Sequence, residues 1–369
     1  GEALGLLYAM HWPFFQPETS RGIRRSVFHD RLEKAGACFG EMAGWERANW
    51  FAPEGMEPRY EYTYRRQNWF EASAAEHLAV REYVGFFDMS SFGKFLVQGK
   101  DAERVMNRIC ANQVAVEPGR VAYTAWLNER GGFESDLTVT RLTENEYLVI
   151  TAGASQMRDK AWLRRHTADE DGVQVADVTS GYAVLSVMGP NSRKLLSKLT
   201  DEDLSNDHFP FGTGKEIEIG YSKALALRVT YVGELGWELY IPCEFAQDLY
   251  DRLLEAGQDH GLKHAGMHAL NSLRLEKAYR HWGHDITDED TPLEAGLSFA
   301  VAWDKPGVFI GRETLIRKKE EDLLKKRMVQ FALKDPEPLL YHNEPIWCGN
   351  KIVGETTSGM YGHSIGNCL

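Results

Sequence analysis

Two short acidic segments, about a hundred residues apart, contain the residue types that could carry out chemistry. GGFESDL (131–137) places Asp136 after a pair of glycines, and YVGELGWEL (231–239) contains Tyr231 and Glu238. A carboxylate can accept two hydrogen bonds from adjacent nitrogens on one edge of a flat ring, on which an aromatic face can stack. A second carboxylate can manage a proton or favour a passing positive charge. The two segments therefore suit the binding and chemical conversion of a planar nitrogen heterocycle.

Each segment alone also has a purely structural interpretation. A GG turn followed by an aspartate is usually a turn with a capping or Asx-type hydrogen bond, which would account for Asp136. Tyr231 and Glu238 could belong to a hairpin with a solvent-facing acid, in which Gly233 and Gly236 serve only the turn. Taken one at a time, the two segments leave these interpretations open.

Composition and charge limit the class of protein. The chain has 369 residues, of which 43% are hydrophobic, and this suits two or three globular domains. A net charge of −12 argues against nucleic acid or an anionic membrane as a partner. The chain contains no apolar run of the ~18 residues that a membrane span requires, and we expect no signal peptide because the first residues lack a basic start and a long apolar stretch.

Neither the cysteines nor the histidines have the spacing of a metal site. The five cysteines are scattered without a CxxC pair, which is typical of reduced, intracellular proteins without disulfides or zinc. His260, His264 and His268 lie four residues apart, but no acidic ligand accompanies them and nearby glycines interrupt the helix. We therefore predict no metal.

Hydrophobic periodicity predicts an α+β fold in three segments, 1–60, 61–322 and 323–369, because strands occur both in adjacent runs and between helices. Helices are predicted at 26–36, 101–110, 243–257, 268–282 and, as a solvated basic run, 317–327. Strands are predicted at 92–99, 136–142, 146–153, 181–189 and 224–233. The aromatic stretch 44–55 is predicted to be a loop, and a strand-rich unit is predicted to begin near residue 325.

A series of motifs, in order along nearly the whole chain, resembles the aminomethyltransferase family, the T-protein of the glycine cleavage system and its relatives. The motifs are FFDMSSFGKFLVQGKDA (86–102), AYTAWLNERGGFESDLTV (122–139), LSVMGPNS (185–192), YVGELGWEL (231–239), NSLRLEK (271–277), TPLEAGLSFAV (291–301), FIGRE (309–313) and TTSG (356–359). The resemblance implies a multi-domain folate-binding fold with a C-terminal β-barrel-like domain. The turn-rich last residues, 356–369, lead us to expect that this domain is truncated.

The resemblance also implies roles for individual residues. Asp136 matches the catalytic aspartate, which assists proton movements and stabilises cationic intermediates. Tyr231 and Glu238 match the tyrosine that contacts folate and the glutamate that grips the pterin. Places in the matched strands suggest that three further residues line the folate slot: Tyr123, Thr138 and Thr151. Because side chains alternate along a strand, Thr138 is expected on the same side as Asp136.

The N-terminal segments 11–26 and 36–51 resemble the connector between the flavin and folate halves of dimethylglycine and sarcosine dehydrogenases. In that branch a flavin domain oxidises an N-methyl amine, and the iminium or formaldehyde equivalent is captured on tetrahydrofolate as 5,10-methylenetetrahydrofolate. The expected cofactor of this chain is therefore tetrahydrofolate, with FAD only in the absent N-terminal half. The expected partners are folate, the amine-derived iminium and that flavin domain, in a bacterial cytoplasm or a mitochondrial matrix.

Some departures keep other functions open. Leu270 and Asn271 stand where the aminomethyltransferase has an Arg-Asp pair that helps the folate site, which argues against a free-standing glycine-cleavage enzyme. A regulatory or scaffolding relative would keep the fold without the chemistry, although retention of Asp136, Tyr231 and Glu238 counts against it. A folate-dependent methyltransferase or demethylase, such as one acting on a sulfonium substrate, is a third alternative.

Overall fold

The computed structural model describes residues 2–369. Over those residues the helices are α1 (Glu2–Leu6), α2 (His29–Lys34), α3 (Phe70–Glu82), α4 (Ala102–Ile109), α5 (Gln156–Thr167), α6 (Ser192–Leu196), α7 (Cys243–Gly257), α8 (Met267–Glu276) and α9 (Arg312–Glu320). The strands are β1 (Ala37–Met42), β2 (Trp45–Phe51), β3 (Val84–Asp88), β4 (Gly93–Gln98), β5 (Val121–Leu127), β6 (Phe133–Thr143), β7 (Glu146–Thr151), β8 (Gln174–Asp177), β9 (Tyr182–Met188), β10 (Gly214–Ile219), β11 (Ser222–Leu227), β12 (Gly236–Pro242), β13 (Leu262–His264), β14 (Pro345–Cys348), β15 (Lys351–Glu355), β16 (Tyr361–Gly362) and β17 (Asn367–Cys368). This mixture of helix and sheet confirms the α+β prediction.

Two large sheets form the body of the protein. The first has six strands in the order β10-β11-β12-β9-β3-β13, and the second has five in the order β5-β6-β7-β4-β8. Neighbouring strands are antiparallel throughout, except that β13 runs parallel to β3. Both orders differ from the chain order, so residues far apart in sequence become neighbours.

Each sheet buries one face against helices and shares the other with its partner sheet. Trp237, Leu239 and Ile241 of β12 pack in one cluster with Leu249 and Leu253 of α7. A second cluster joins Leu137 and Val139 of β6 to Met106 of α4 and Leu163 of α5. A third combines Leu148 and Ile150 of the five-stranded sheet with Met188 and Tyr240 of the six-stranded sheet. The two sheets therefore pack face to face through this third cluster.

The prediction of a loop at residues 44–55 is wrong over most of that stretch. Residues 45–51 form β2, which pairs with β1 in an antiparallel hairpin. The turn uses Ala43 and Gly44, both at positive φ (50° and 83°). Such two-residue turns normally carry Asn-Gly or Gly-Gly, so the alanine concealed the hairpin signal.

Three other predicted elements end earlier than expected. The helix predicted at 268–282 ends at Glu276, because Ala278 takes a left-handed conformation with φ 54°. The strand predicted at 224–233 ends at Leu227, and the basic helix predicted at 317–327 is α9, which ends at Glu320.

The C-terminal unit is strand-rich, as predicted, with the β14–β15 and β16–β17 hairpins. Its TTSG segment packs back on the loop after α8, where Thr357 donates a hydrogen bond of 2.8 Å to Asp285. Among residues 2–369, no helix is both long and apolar enough to cross a membrane.

Candidate functional site

The turn before Asp136 does not use the aspartate. Asn128 closes it, since its side-chain oxygen accepts the backbone N–H groups of Arg130 (2.9 Å) and Gly132 (3.0 Å). Gly131 has φ 79°, a left-handed conformation that favours glycine. Asp136 lies four residues further on, inside β6, so the interpretation of Asp136 as a turn cap is wrong.

Asp136 shares a sheet face with two of the other predicted residues. In the β5–β6 register Tyr123 lies opposite Thr138, which places Tyr123 diagonal to Asp136 on one face. The Tyr123 hydroxyl donates a hydrogen bond of 2.8 Å to Asp136 Oδ2. Tyr123, Asp136 and Thr138 are all half-buried, whereas Ser135 and Leu137 on the other face are fully buried. The face that carries Asp136 is therefore the less completely buried of the two.

The surroundings of Asp136 bring its pKa close to neutrality. Burial raises the pKa of the carboxyl from 3.8 to about 6, and the hydrogen bond from Tyr123 opposes that rise. The carboxylates of Asp159 and Asp285 add to it. Burial also raises the pKa of Tyr123 well above its usual value, so the phenol remains a hydrogen-bond donor. Asp136 is thus ionised at neutral pH but close to the range in which it can hold a proton.

Glu238 lies in the middle of the six-stranded sheet. In β12 it stands between Leu227 of β11 and Ser186 of β9. The hydroxyl of Tyr240, two residues along the same face, donates to Glu238 Oε2 at 2.8 Å. Burial raises the pKa of Glu238, and no cationic side chain of residues 2–369 forms an ion pair with it. The interpretation of Glu238 as a solvent-facing hairpin acid is therefore wrong.

The two carboxylates lie on the facing sides of the two sheets, and the space between those faces is the candidate site. Tyr240, on the face of Glu238, and Ile150, on the face of Thr138, belong to one apolar cluster between the sheets. Tyr231 packs against that cluster from the loop between β11 and β12. Its ring stacks on Tyr279 with centroids 6.0 Å apart, and its hydroxyl donates to the Arg280 carbonyl at 2.7 Å. Burial raises the pKa of Tyr231, and the negative charge of Asp136 contributes.

Thr151 is not brought to this space. In the β6–β7 register Thr138 lies opposite Ile150, so Thr151 points to the other face of the sheet. It is fully buried beside Gly93 of β4, and its hydroxyl has no hydrogen-bond partner among the described residues. The structure thus groups five of the six predicted residues around one space and leaves Thr151 outside it.

A buried ion pair supports the site, and sequence reasoning missed it. Arg274 of α8 contacts Asp285 at 2.5 Å, and Arg274 Nη2 donates to the Ser358 hydroxyl at 2.7 Å. Although burial opposes it, Arg274 together with the hydroxyls of Ser358 and Thr357 holds the pKa of Asp285 below its usual value. No local signal pairs residues so far apart in the chain. By contrast, the period of two along a strand could have indicated that Tyr240 accompanies Glu238.

Two of the three spaced histidines, His264 and His268, are hydrogen-bonded to tyrosine hydroxyls. His264 Nε2 is hydrogen-bonded to the Tyr250 hydroxyl at 2.6 Å. His268 stacks on Trp69, with ring centroids 4.1 Å apart, and bonds to the Tyr60 hydroxyl at 2.9 Å. Within residues 2–369 no group of three or more His, Cys, Asp or Glu side chains is arranged to hold a metal ion.

Two family models match the chain. Residues 28–305 match the N-terminal domain of the glycine cleavage T-protein, and residues 326–369 match the C-terminal barrel domain of that protein. The chain belongs to the glycine cleavage T-protein family. The resemblance seen in its motifs is thereby confirmed, including the C-terminal barrel domain.

Relatives of this T-protein family member include amine-oxidising enzymes. It is 46% identical over 368 residues to "4-methylaminobutanoate oxidase (formaldehyde-forming)" of Paenarthrobacter nicotinovorans, covering 100% of the chain and 44% of that relative. It is 40% identical over 338 residues to "Dimethylglycine dehydrogenase, mitochondrial" of Mus musculus, covering 91% of the chain and 39% of that relative. The chain therefore spans about two fifths of the length of these curated relatives.

A solved structure shares the fold of this T-protein family member. The glycine cleavage system aminomethyltransferase T from Bartonella henselae superposes with a TM-score of 0.78 over 94% of this chain and 88% of the other, at 24% identity. This likeness establishes the fold. Several relatives in the family are enzymes by name, namely an aminomethyltransferase, an amine oxidase and amine dehydrogenases.

Proposed function

We propose that this chain is the folate-binding, one-carbon transfer module of a flavin-dependent N-methylamine dehydrogenase or oxidase. The observation that carries the proposal is the pair of carboxylates in one interior space. Glu238 has a raised pKa and no cationic partner among the described residues, and Asp136 is hydrogen-bonded to Tyr123. Membership of a folate-dependent family and likeness to amine-oxidising relatives support the same function.

The residues present fit a pterin. Its ring is flat and carries adjacent nitrogen donors on one edge, which a carboxylate can accept as a pair. Tyr240 occupies Oε2 of Glu238, and no side chain of residues 2–369 donates to Oε1, so the carboxylate retains the capacity to accept such donors. The Tyr231 ring and the apolar cluster between the sheets supply flat and apolar walls. Without such donors, the buried carboxylate of Glu238 lacks hydrogen bonds that would offset its lost hydration. Groups in this state are typical of binding sites whose ligand is absent.

Tetrahydrofolate, when bound, would supply the N5 nucleophile for the one-carbon unit of an iminium or of formaldehyde, giving 5,10-methylenetetrahydrofolate with release of the amine or of water, respectively. Asp136 is ionised at neutral pH, and its charge favours a cationic amine in the space beside it. Tyr123 occupies Oδ2 of Asp136 and leaves Oδ1 to take up or return a proton. Thr138 and Tyr231 line the same space and limit the entry of water.

Amine oxidation itself is assigned to a flavin domain outside this chain. The resemblance to dimethylglycine and sarcosine dehydrogenases implies that this domain precedes residues 1–60 in the longer protein and is the physical partner of the module. FAD belongs to that domain, and tetrahydrofolate is the ligand of this one. The flavin domain, which oxidises the amine, determines which amine is the substrate.

The direct test is anaerobic calorimetric titration of this chain with tetrahydrofolate, followed by a transfer assay with formaldehyde. We expect one-to-one binding and formation of 5,10-methylenetetrahydrofolate faster than in protein-free solution. Glu218→Gln, on an exposed position of the same sheet, is the matched control for changes at Glu238. Binding without transfer would favour the regulatory or scaffolding relative, and the absence of binding would overturn the proposal.

A further inference from the structure

Arg47 is a guanidinium deep in the protein without an anionic partner. It lies in β2, opposite Gly40 of β1. Its Nε is buried and has no hydrogen-bond acceptor, and its Nη2 contacts the thioether sulfur of Met267. Within residues 2–369, the carboxylate whose charge reaches it is that of Asp88, which is already engaged by the Ser26 hydroxyl and the Ser90 N–H.

Two other arginines that are partly or fully buried have an anionic partner. Arg274 is held by Asp285 at 2.5 Å, and Arg21 donates through Nε and Nη2 to the carboxylate of Glu46 at 2.8 and 2.5 Å. At Arg47, burial lowers the pKa to about 10, since nothing compensates the lost hydration. A buried cation that lacks an anion costs free energy, and such groups are typical of binding sites whose ligand is absent.

Arg47 borders the space that contains the folate residues. Met267, which its guanidinium contacts, packs on the same apolar cluster as Tyr231. Burial lowers the pKa of His281, and the charge of Arg47 makes a small contribution. His281 follows Arg280, whose carbonyl accepts the hydrogen bond of Tyr231. Arg47 is half-buried as a whole although its Nε is fully buried, so part of the residue remains accessible.

We propose that Arg47 binds a carboxylate of the ligand that occupies the space between the sheets. This inference rests on the proposed function. A guanidinium donates two parallel hydrogen bonds to a carboxylate, which would give the Arg47 Nε an acceptor. Two sources share this chemistry: the glutamyl end of tetrahydrofolate and the amino acid from which the one-carbon unit comes. The amines in the names of both relatives, dimethylglycine and 4-methylaminobutanoate, carry a carboxylate.

The test compares ligands with and without the carboxylate on Arg47→Gln. The folate arm titrates tetrahydrofolate against tetrahydropteroate, which lacks the glutamyl group. The amine arm titrates sarcosine against dimethylamine at saturating tetrahydrofolate. We expect Arg47→Gln to weaken the carboxylated member of one pair about 10- to 100-fold and to leave the other member unchanged. Arg25→Gln, an equal change of charge at an exposed residue of the same N-terminal segment, should alter neither.

Each outcome decides the inference. Selective loss in the folate arm assigns Arg47 to the glutamyl end, and selective loss in the amine arm assigns it to the amino acid. Equal losses for both members of each pair, or no loss, would overturn the carboxylate site while leaving the proposed function intact. If the unaltered chain binds neither pteridine, both proposals fail.

A second variant separates binding from folding. Arg47→Met keeps a long side chain beside Met267 but removes the unpaired charge, so its melting temperature should equal or exceed that of the unaltered chain. Loss of carboxylate selectivity in such a well-folded variant supports the site. A lower melting temperature with selectivity retained would show that Arg47 is structural and would overturn the inference.

Discussion

The hydroxyl of Tyr123 donates a hydrogen bond of 2.8 Å to Oδ2 of Asp136, from one strand of the five-stranded sheet to the next. This contact fixes the orientation of a carboxylate that has no salt-bridge partner in the described part of the chain. It also stabilises the ionised form of Asp136 against the effect of burial. The phenol therefore controls both the position and the protonation of the candidate catalytic group.

Tyr123→Phe should raise the pKa of Asp136, because it removes the hydrogen bond that favours the carboxylate. We expect the pH at which methylene transfer reaches half its maximum to rise by about one unit. The measurement is the transfer rate between pH 5 and pH 8 at saturating tetrahydrofolate. Tyr221→Phe, on an exposed turn, is the matched control. A profile that coincides with that of the unaltered chain would remove Tyr123 from control of Asp136.

Asp136→Asn should slow transfer by about 100-fold or more while folate affinity stays within about threefold, because an amide can neither take up the proton nor stabilise the cation. The measurements are single-turnover transfer and calorimetric titration. An unchanged transfer rate would exclude Asp136 from catalysis. Loss of tetrahydrofolate binding would instead make Asp136 a folate-binding residue.

The same Asp136→Asn variant should be more stable at neutral pH. The pKa of Asp136 rises from 3.8 to about 6 on folding, so the folded state binds more protons across that window. The free energy of unfolding therefore falls as pH rises through it, and the charged aspartate costs on the order of 3 kcal/mol above pH 6. Urea unfolding should show this gain for the variant at pH 7.5 and its disappearance near pH 3.5. Asp259→Asn, at an exposed site, should show no such dependence.

Glu238→Gln should weaken tetrahydrofolate binding about 10- to 100-fold, and Glu238→Ala should abolish it. The amide keeps the shape but cannot accept two donors, and alanine leaves the pterin nitrogens buried and unpaired. Calorimetric titration of both variants beside Glu218→Gln provides the measurement. Affinities that match the control would exclude Glu238 as the pterin residue.

Asp285→Asn and Arg274→Met should each lower the free energy of unfolding by about 3–5 kcal/mol, because each leaves a buried charge without its partner. The double variant should lose less than the sum of the two. Asp251→Asn breaks the more exposed pair with Arg31 and should cost less than about 1 kcal/mol. Additive losses at Arg274 and Asp285, measured by urea unfolding, would show that the two residues are not coupled.

Local sequence patterns were sufficient to predict several of the helices and strands of this protein. The helices at 102–109 and 243–257 and the strands around Asp136 follow from periodicity, because a buried face imposes its repeat on the residues that form it. The motifs were sufficient to identify the family, and they indicated Asp136, Tyr231 and Glu238 as candidate site residues. The segment boundaries at 60 and 322 stay a prediction, although the family models match residues 28–305 and 326–369.

Tertiary structure decided which of the candidates meet. Thr151 has a suitable residue type and strand, but strand register turns it to the opposite face from Thr138. Glu238 and Asp136 border one space only because two sheets with shuffled strand orders pack together. The partners of Arg274 and the isolation of Arg47 are equally non-local. Periodicity reports whether a residue is buried, whereas its neighbours depend on packing between elements distant in the chain, and no local pattern encodes that packing.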